Sequence, residues 1–295
     1  MLAYGVMAAL VAASSACSGA ETVKGNVASE AEAVYTDGLE HLAGGSTLEA
    51  EQEFQKLLKM PSYLQLTALA RLRLADAQFH EHKYDEAIET YLSFVQRHDS
   101  NDNVPYALFM VARAYYELAP SDLWFFPPIE ELDLTAVQQA RTHLERFIKQ
   151  YPRSRFVTQA LELRERCLDL LWAHHRYVID FYTKRNKWMG VVYRLHVAMQ
   201  QFPSRSQNVE NFALLAKGYQ EIGWRRRAVD VWQAIGQRWP GTPQAIVAPG
   251  RVVQLQKDMD AAKAAGKKDA EMPVELPPTS TVKPEQLGDS SSDEG

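Results

Sequence analysis

The chain has 295 residues, 46% of them hydrophobic and 23% charged, the balance of a soluble globular protein able to bury roughly 75% of its unfolded surface. That composition excludes disorder for the bulk of the chain. The formal net charge is −5, but residues 267–295 hold seven acids against three lysines, so the rest is near neutral and nucleic acid is not an indicated partner.

Residues 1–20 carry no charged side chain, and the apolar run 2–13 is too short to cross a bilayer about 30 Å thick, which needs about 20 helical residues. Residues 1–16 read as a signal peptide. Ser14, Ser15 and Ala16 lead into Cys17, which resembles the lipobox of bacterial lipoproteins, where the cysteine becomes the acylated first residue. The usual leucine three before the cysteine is Ser14 here, and no positive n-region precedes it. The alternative is a non-cleaved apolar terminus with an incidental cysteine. By the same resemblance, Ser18 after the cysteine favours the outer membrane over retention in the inner one. With Cys17 acylated, Cys167 is the remaining thiol of the two cysteines and no internal disulfide forms. Cys167 stands among leucines on a helical stretch and reads as a small buried hydrophobe, not a nucleophile. Residues 17–30, small and polar, are expected to be a flexible tether.

From Ala31 onward a rhythm repeats. Counting back from Pro240, Pro203 and Pro152, a small or apolar residue stands twelve positions earlier, a large one eight earlier and an apolar one five earlier. The sets are Ala228/Trp232/Ile235, Val191/Leu195/Ala198 and Ala140/Leu144/Phe147; the same offsets give Ala87/Tyr91/Phe94 before Asp99 and Ala50/Phe54/Leu57 before Ser62. This is tetratricopeptide-repeat (TPR) spacing, and it predicts an all-α superhelix of about five helix-turn-helix repeats, a scaffold that holds other proteins. In the first unit Val34, Gly38 and His41 lie on the opening helix, Gly44-Gly45 turns, and 47–60 forms the second helix. Gly38 and Ala50 let the paired helices approach closely. In the second, Leu72, Ala75 and Phe79 share a face, His82-Lys83-Tyr84 turns, and Asp85 is read as the N-cap of a helix over 86–97.

The third unit begins at Tyr106, Ala112, Tyr115 and Tyr116, but Ala140 arrives sixteen residues late. The gap, about 120–134, contains Trp124, Phe125, Phe126, Pro127 and Pro128 and cannot be helix. It either folds back on the solenoid or presents an apolar patch to a partner. Residues 155–184 lack Gly and Pro and predict a long helix, one piece or two nearly continuous ones, joining two lobes as a stiff strut. The lobes are 31–153 and 154–242, and lobes at fixed separation can hold two different clients. Helix resumes after Pro249 over 251–263, capping the solenoid in a terminal segment of 243–265, and 266–295 reads as a disordered acidic tail.

The fourth unit carries the most distinctive sequence, from Tyr177 to Arg194. Its aromatic pair Phe181-Tyr182, Thr183, Arg185, Trp188 and Val191-Val192-Tyr193-Arg194 closely resemble the fourth repeat of the BamD family, TPR lipoproteins of the outer-membrane β-barrel assembly (BAM) machinery. The resemblance runs from about residue 31 to 239 and includes a Phe-Phe-containing break in the third repeat. Pro127-Pro128-Ile129-Glu130-Glu131 departs from the family's continuation there. The resemblance implies a lipid-anchored outer-membrane protein facing the periplasm, without cofactor. It also implies as partners the POTRA domains of the barrel-forming subunit, other BAM lipoproteins and unfolded outer-membrane proteins. It assigns Arg194 to an acidic POTRA residue, with Arg185, Trp188 and Tyr182 beside it. A guanidinium on a rigid helix suits a forked, partly desolvated pair whose truncation costs about 2–5 kcal/mol; the alternative is an ordinary solvated arginine. The resemblance gives client recognition to repeats one and two, where Tyr63 and Tyr106 offer walls for an extended peptide and Arg71, Arg73 and His80 could meet its carboxylate. Tyr91 stands at a packing position instead.

No Gly-rich phosphate loop, CxxC, HExxH or Gly-x-Ser-x-Gly occurs in the chain, so neither catalytic nor metal-ligating residues are expected. His174 and His175 are adjacent, about 100° apart on a helix, and read as a surface pair. Arg225-Arg226-Arg227 opens a helix whose dipole disfavours cations there; it is either simply solvated or compensated by an acid from the chain or a partner. Two rival readings remain, another lipidated TPR scaffold such as a pilotin for secretin assembly or a cell-envelope coordinator, and an enzyme with a TPR shell, which the missing site chemistry disfavours.

Overall fold

The computed structural model describes residues 18–60, 64–120 and 132–266, with side chains from residue 30 in the first helix and from residue 66 in the third. The expected signal peptide over 1–16, Cys17, Tyr63, the aromatic insertion with Trp124, Phe125 and Phe126, and the acidic tail lie outside the described residues. Among the described residues every regular element is a helix. They are α1 (Ser18–Ala43), α2 (Thr47–Leu58), α3 (Leu64–His80), α4 (Tyr84–Arg97), α5 (Val104–Glu117), α6 (Thr135–Gln150) and α7 (Val157–Lys184), followed by α8 (Trp188–Gln201), the short α9 (Pro203–Ser206), α10 (Val209–Glu221), α11 (Arg225–Arg238) and α12 (Pro243–Ala264).

Packing divides the chain into two units. The first comprises Met1–Ala119 and Thr135–Glu165, the second Pro120–Leu134 and Arg166–Gly295. The division falls inside α7, not at its start. Within the first unit α1 packs on α2, and each helix in turn on the next through α6, while α1 also reaches α3. In the second, α8 meets α9 and α10, α10 meets α11, and α11 meets α12.

The repeat rhythm is the core. All five Ala/large/apolar sets, from Ala50/Phe54/Leu57 to Ala228/Trp232/Ile235, are buried. Close approach at Gly38 has a measurable basis, since a Cβ there would stand 2.7 Å from Phe54 Cε1. In the second unit Gly218 plays the same part against Val192 Cγ2, also at 2.7 Å.

Four intra-pair turns share one geometry. Gly45 (φ 80°), His82 (60°), Asn186 (55°) and Gly223 (86°) adopt the left-handed conformation. The amide after each, of Ser46, Lys83, Lys187 and Trp224, donates to the carbonyl five residues back, on His41, Gln78, Tyr182 and Tyr219. This is the Schellman closure that satisfies the last carbonyls of the preceding helix.

Several local expectations need correction. The tether over 17–30 is helical from Ser18, because the segment has no proline and its Ala, Glu and Lys outweigh two glycines; among the described side chains the first buried are Ala31 and Val34. Lys83, not Asp85, caps α4, and Asp85 joins Glu86 in its first turn, where acids favour the dipole. The terminal helix begins at Pro243, with Thr242 Oγ1 accepting from the Ala245 amide, and Pro249 lies inside it. His174 and His175 are half-buried, and the His175 ring packs 5.1 Å from that of Phe202. Cys167 is buried, as expected.

Candidate functional site

In the first unit the polar centre is Asp76, on the Leu/Ala-rich α3 and only 5% exposed. Tyr91 Oη on α4 donates to its Oδ1 at 2.6 Å, and Tyr106 Oη on α5 donates to the same oxygen at 2.8 Å. Arg73 Nη1 donates to Oδ2 at 2.8 Å. Burial first, then the Asp76 charge, pushes both phenols above their ordinary range, so they remain protonated donors. Burial opposes the Arg73 charge, but its hydrogen bond and attraction to Asp76 outweigh this and hold the guanidinium above its ordinary range. Three helices are thereby tied to one carboxylate.

This changes the expected client residues. Arg73 is committed to Asp76, and Arg71, two positions along, points toward α4, where its Nη1 donates to Ser93 Oγ at 3.2 Å. Burial and the neighbouring Arg97 lower the Arg71 pKa. The two arginines therefore do not converge, as residues about 200° apart on a helix cannot. His80 is exposed at the end of α3. Tyr106 lines a cleft of about 720 Å³ walled also by Asp102, Tyr151, Arg153, Arg155 and Phe156. Phe156 stacks on Phe109 with centroids 5.4 Å apart, and the Arg155 guanidinium lies 4.7 Å over the Phe156 ring. Aromatic walls with two exposed arginines at the rim match a peptide carrying an aromatic side chain and a carboxylate. The cleft is built by the start of α5 and the α6–α7 turn, so it belongs to the third repeat, not the first two. Sequence spacing missed Arg153, Arg155 and Phe156; the only signal was their position beside Pro152.

In the second unit the four expected partner residues separate. Tyr182 is a core residue, 4% exposed, its ring filling the space over Gly190, where a Cβ would stand 3.0 Å from Tyr182 Cδ1. It shapes the α7–α8 turn and cannot touch a partner. Arg185 is exposed, its guanidinium 3.6 Å over the Phe181 ring. Half-buried Trp188 carries Lys217 Nζ 4.8 Å above its ring, and Met189 beside it is 47% exposed. Arg194 is half-buried, and its Nε is shielded from water with no hydrogen-bond acceptor. It lies about 120° round α8 from Trp188, so the two do not form a single contact line along the helix. A second recess of about 410 Å³ lies between α7 and α10, lined by Trp172, Arg176, Asp180, Glu210, Asn211 and Leu214. Nothing in the sequence rhythm singled it out. Among the described residues no cluster of three His, Cys, Asp or Glu side chains could hold a metal.

A family model described as "Outer membrane lipoprotein", YfiO, matches residues 27–233. The "Outer membrane protein assembly factor BamD" of Xylella fastidiosa (strain Temecula1) is 23% identical over 218 residues, covering 68% of this chain and 73% of that protein. The protein of the same description from Haemophilus influenzae is 24% identical over 204 residues, covering 68% and 78%. Among solved structures, the TPR2AB domain of yeast Sti1 aligns with a TM-score of 0.41 at 12% identity, over 81% of this chain and 87% of that one. A tetratricopeptide repeat protein from Parabacteroides merdae aligns with a TM-score of 0.33 at 14% identity, over 79% and 90%.

Proposed function

This chain belongs to the YfiO family of outer membrane lipoproteins, and on that premise we propose that it is an outer-membrane protein assembly factor. In this reading it is a non-enzymatic periplasmic scaffold, anchored through acylated Cys17, that binds POTRA domains of the barrel-forming subunit and unfolded outer-membrane proteins. The second unit takes the POTRA side and the first unit takes the client.

Arg194 carries the reading. Its Nε is out of water and unpaired, a cost of about 1–3 kcal/mol for an isolated buried donor, which a carboxylate arriving from a partner removes by forked hydrogen bonding. Arg185, Trp188, Met189 and Lys217 supply a mixed cationic and apolar surface of the kind interfaces use. For the client, the Tyr106 cleft with Arg153 and Arg155 replaces Arg71 and Arg73 as the better-formed receptor of an aromatic, carboxylate-ended segment.

Arg194→Glu is expected to weaken binding to purified POTRA domains at least tenfold while the protein stays folded, with its helical circular dichroism retained. Unaltered affinity removes Arg194 from the interface.

A further inference from the structure

One wall of the Tyr106 cleft is held from behind by a group that a ligand in the cleft does not touch. Asp76 is 5% exposed and is not among the residues lining the cleft. Its Oδ1 accepts from the Tyr106 hydroxyl at 2.8 Å, and the Tyr106 ring, half-buried, is a lining group. The carboxylate on α3 thus reaches the cleft through a side chain of α5.

The ring is fixed on its flanks as well. It meets Tyr91 edge-on, with centroids 6.4 Å apart and planes at 84°, and Phe156 at 5.5 Å and 48°. Phe156 has its own support, stacked on Phe109 at an interplanar angle of 10°. Of the two facing rings, Tyr106 is therefore the one whose direction is set by a hydrogen bond to a charge, a stronger tie than a bond between neutral groups. Without it, the ring could take other staggered positions about its first torsion.

The two phenols on Asp76 Oδ1 are alike as donors, Tyr91 at 2.6 Å and Tyr106 at 2.8 Å. Loss of either leaves the carboxylate with the other phenol and with Arg73 on Oδ2, so neither loss strands a buried charge. A tie that only held helices together would make them interchangeable. The cleft makes them unequal, because Tyr91 is fully buried and Tyr106 lines it.

We propose that Asp76 is a positioning residue of the client cleft, holding the Tyr106 ring in the orientation that accepts an aromatic side chain and so setting a preference for aromatic-ended segments. This rests on the reading of the cleft as a client receptor. A wall fixed before binding spares the cost of ordering it when the ligand arrives. Arg153 and Arg155, exposed at the rim, meet the carboxylate of any such segment and add affinity without choosing its last side chain.

Fluorescence anisotropy on the detergent-solubilised full chain tests this with two fluorescein-labelled hexapeptides of glycine and serine, each with a free carboxylate, one ended by phenylalanine and the other by alanine. The wild-type chain is expected to prefer the phenylalanine peptide about tenfold. Tyr106→Phe keeps the ring and cuts its tie to Asp76, and should bring the preference below about threefold with little change for the alanine peptide. Tyr91→Phe removes a donor from the same oxygen outside the cleft and should leave the preference whole. Asp76→Ala, checked for retained helical circular dichroism, should lose the preference with the Tyr106 hydroxyl still present, which separates positioning from direct contact of that hydroxyl with the ligand. No preference in the wild-type chain removes the client cleft and the proposal with it. A wild-type preference that survives Tyr106→Phe or a folded Asp76→Ala, or that falls equally in Tyr91→Phe, overturns the positioning role alone.

Discussion

Asp76 ties three helices of the first unit to one carboxylate. Three donors from α3, α4 and α5 converge on it, and removing a buried ion-pair partner typically costs about 3–5 kcal/mol. Asp76→Ala is expected to lower stability by that order in urea titration, well beyond the effect of an exposed acid such as Glu89→Ala. The same cluster sets a pH limit. Tyr91 and Tyr106 have raised folded-state pKa values, so their contribution is whole below the unfolded phenol value of about 10 and is lost as pH rises above it. Stability should fall from about pH 10 upward, and Tyr91→Phe, less stable at pH 7 by about 1–2 kcal/mol, should show a shallower alkaline decline. The convergence was not legible in sequence, because the two tyrosine partners of Asp76 stand 15 and 30 residues away, and nothing in the spacing told that Tyr106, a cleft wall, also donates to a buried carboxylate. Gly38 was legible, since a glycine on a helix facing a repeat phenylalanine implies contact. Gly38→Ala drives a Cβ into the Phe54 ring and should cost about 1–2 kcal/mol net of the helix-propensity gain. Gly236→Ala, with open space around it, should instead stabilise by about 0.5–1 kcal/mol. Paired thermal melts of the two variants check both signs.

At the scale of elements the turns were half visible. Gly44-Gly45 announced its position by composition, and His82 and Asn186 take the same left-handed geometry without a glycine to announce it. What fixes them is the Schellman bond to the carbonyl five residues back, a property of the helix end and not of the turn residue. Proline misled the reading at α12. Pro249 was expected to delimit a helix, yet α12 runs through it from Pro243. The packing of Ala248 and Leu255 holds the helix on both sides of a missing amide donor. Because Pro249 is exposed, Pro249→Ala restores a hydrogen bond to the Ala245 carbonyl at little packing cost. It should raise stability by about 1–2 kcal/mol, less than the full interior-proline penalty because proline also restrains the unfolded chain. A higher melting temperature is the expected readout.

For the whole molecule, the chain is an all-helical member of the YfiO family among its described residues, and the proposed role is tested by what it binds. Co-purification from detergent-solubilised envelopes is expected to yield the barrel-forming subunit as the main partner; recovery of a secretin in its place would favour the pilotin reading. The sequence by itself determined the repeat period, the five buried core sets and the resemblance in the fourth repeat, because each depends on residues within one helical pair, where a fixed 100° step converts spacing directly into a face. Only the tertiary structure decided which polar groups meet. It buried Tyr182 over Gly190, turned Arg71 and Arg73 apart, gathered Arg153, Arg155 and Tyr106 around one cleft, and left the Arg194 Nε without an acceptor. Such contacts join residues from different helices, and their geometry follows from how those helices pack, which no local spacing encodes.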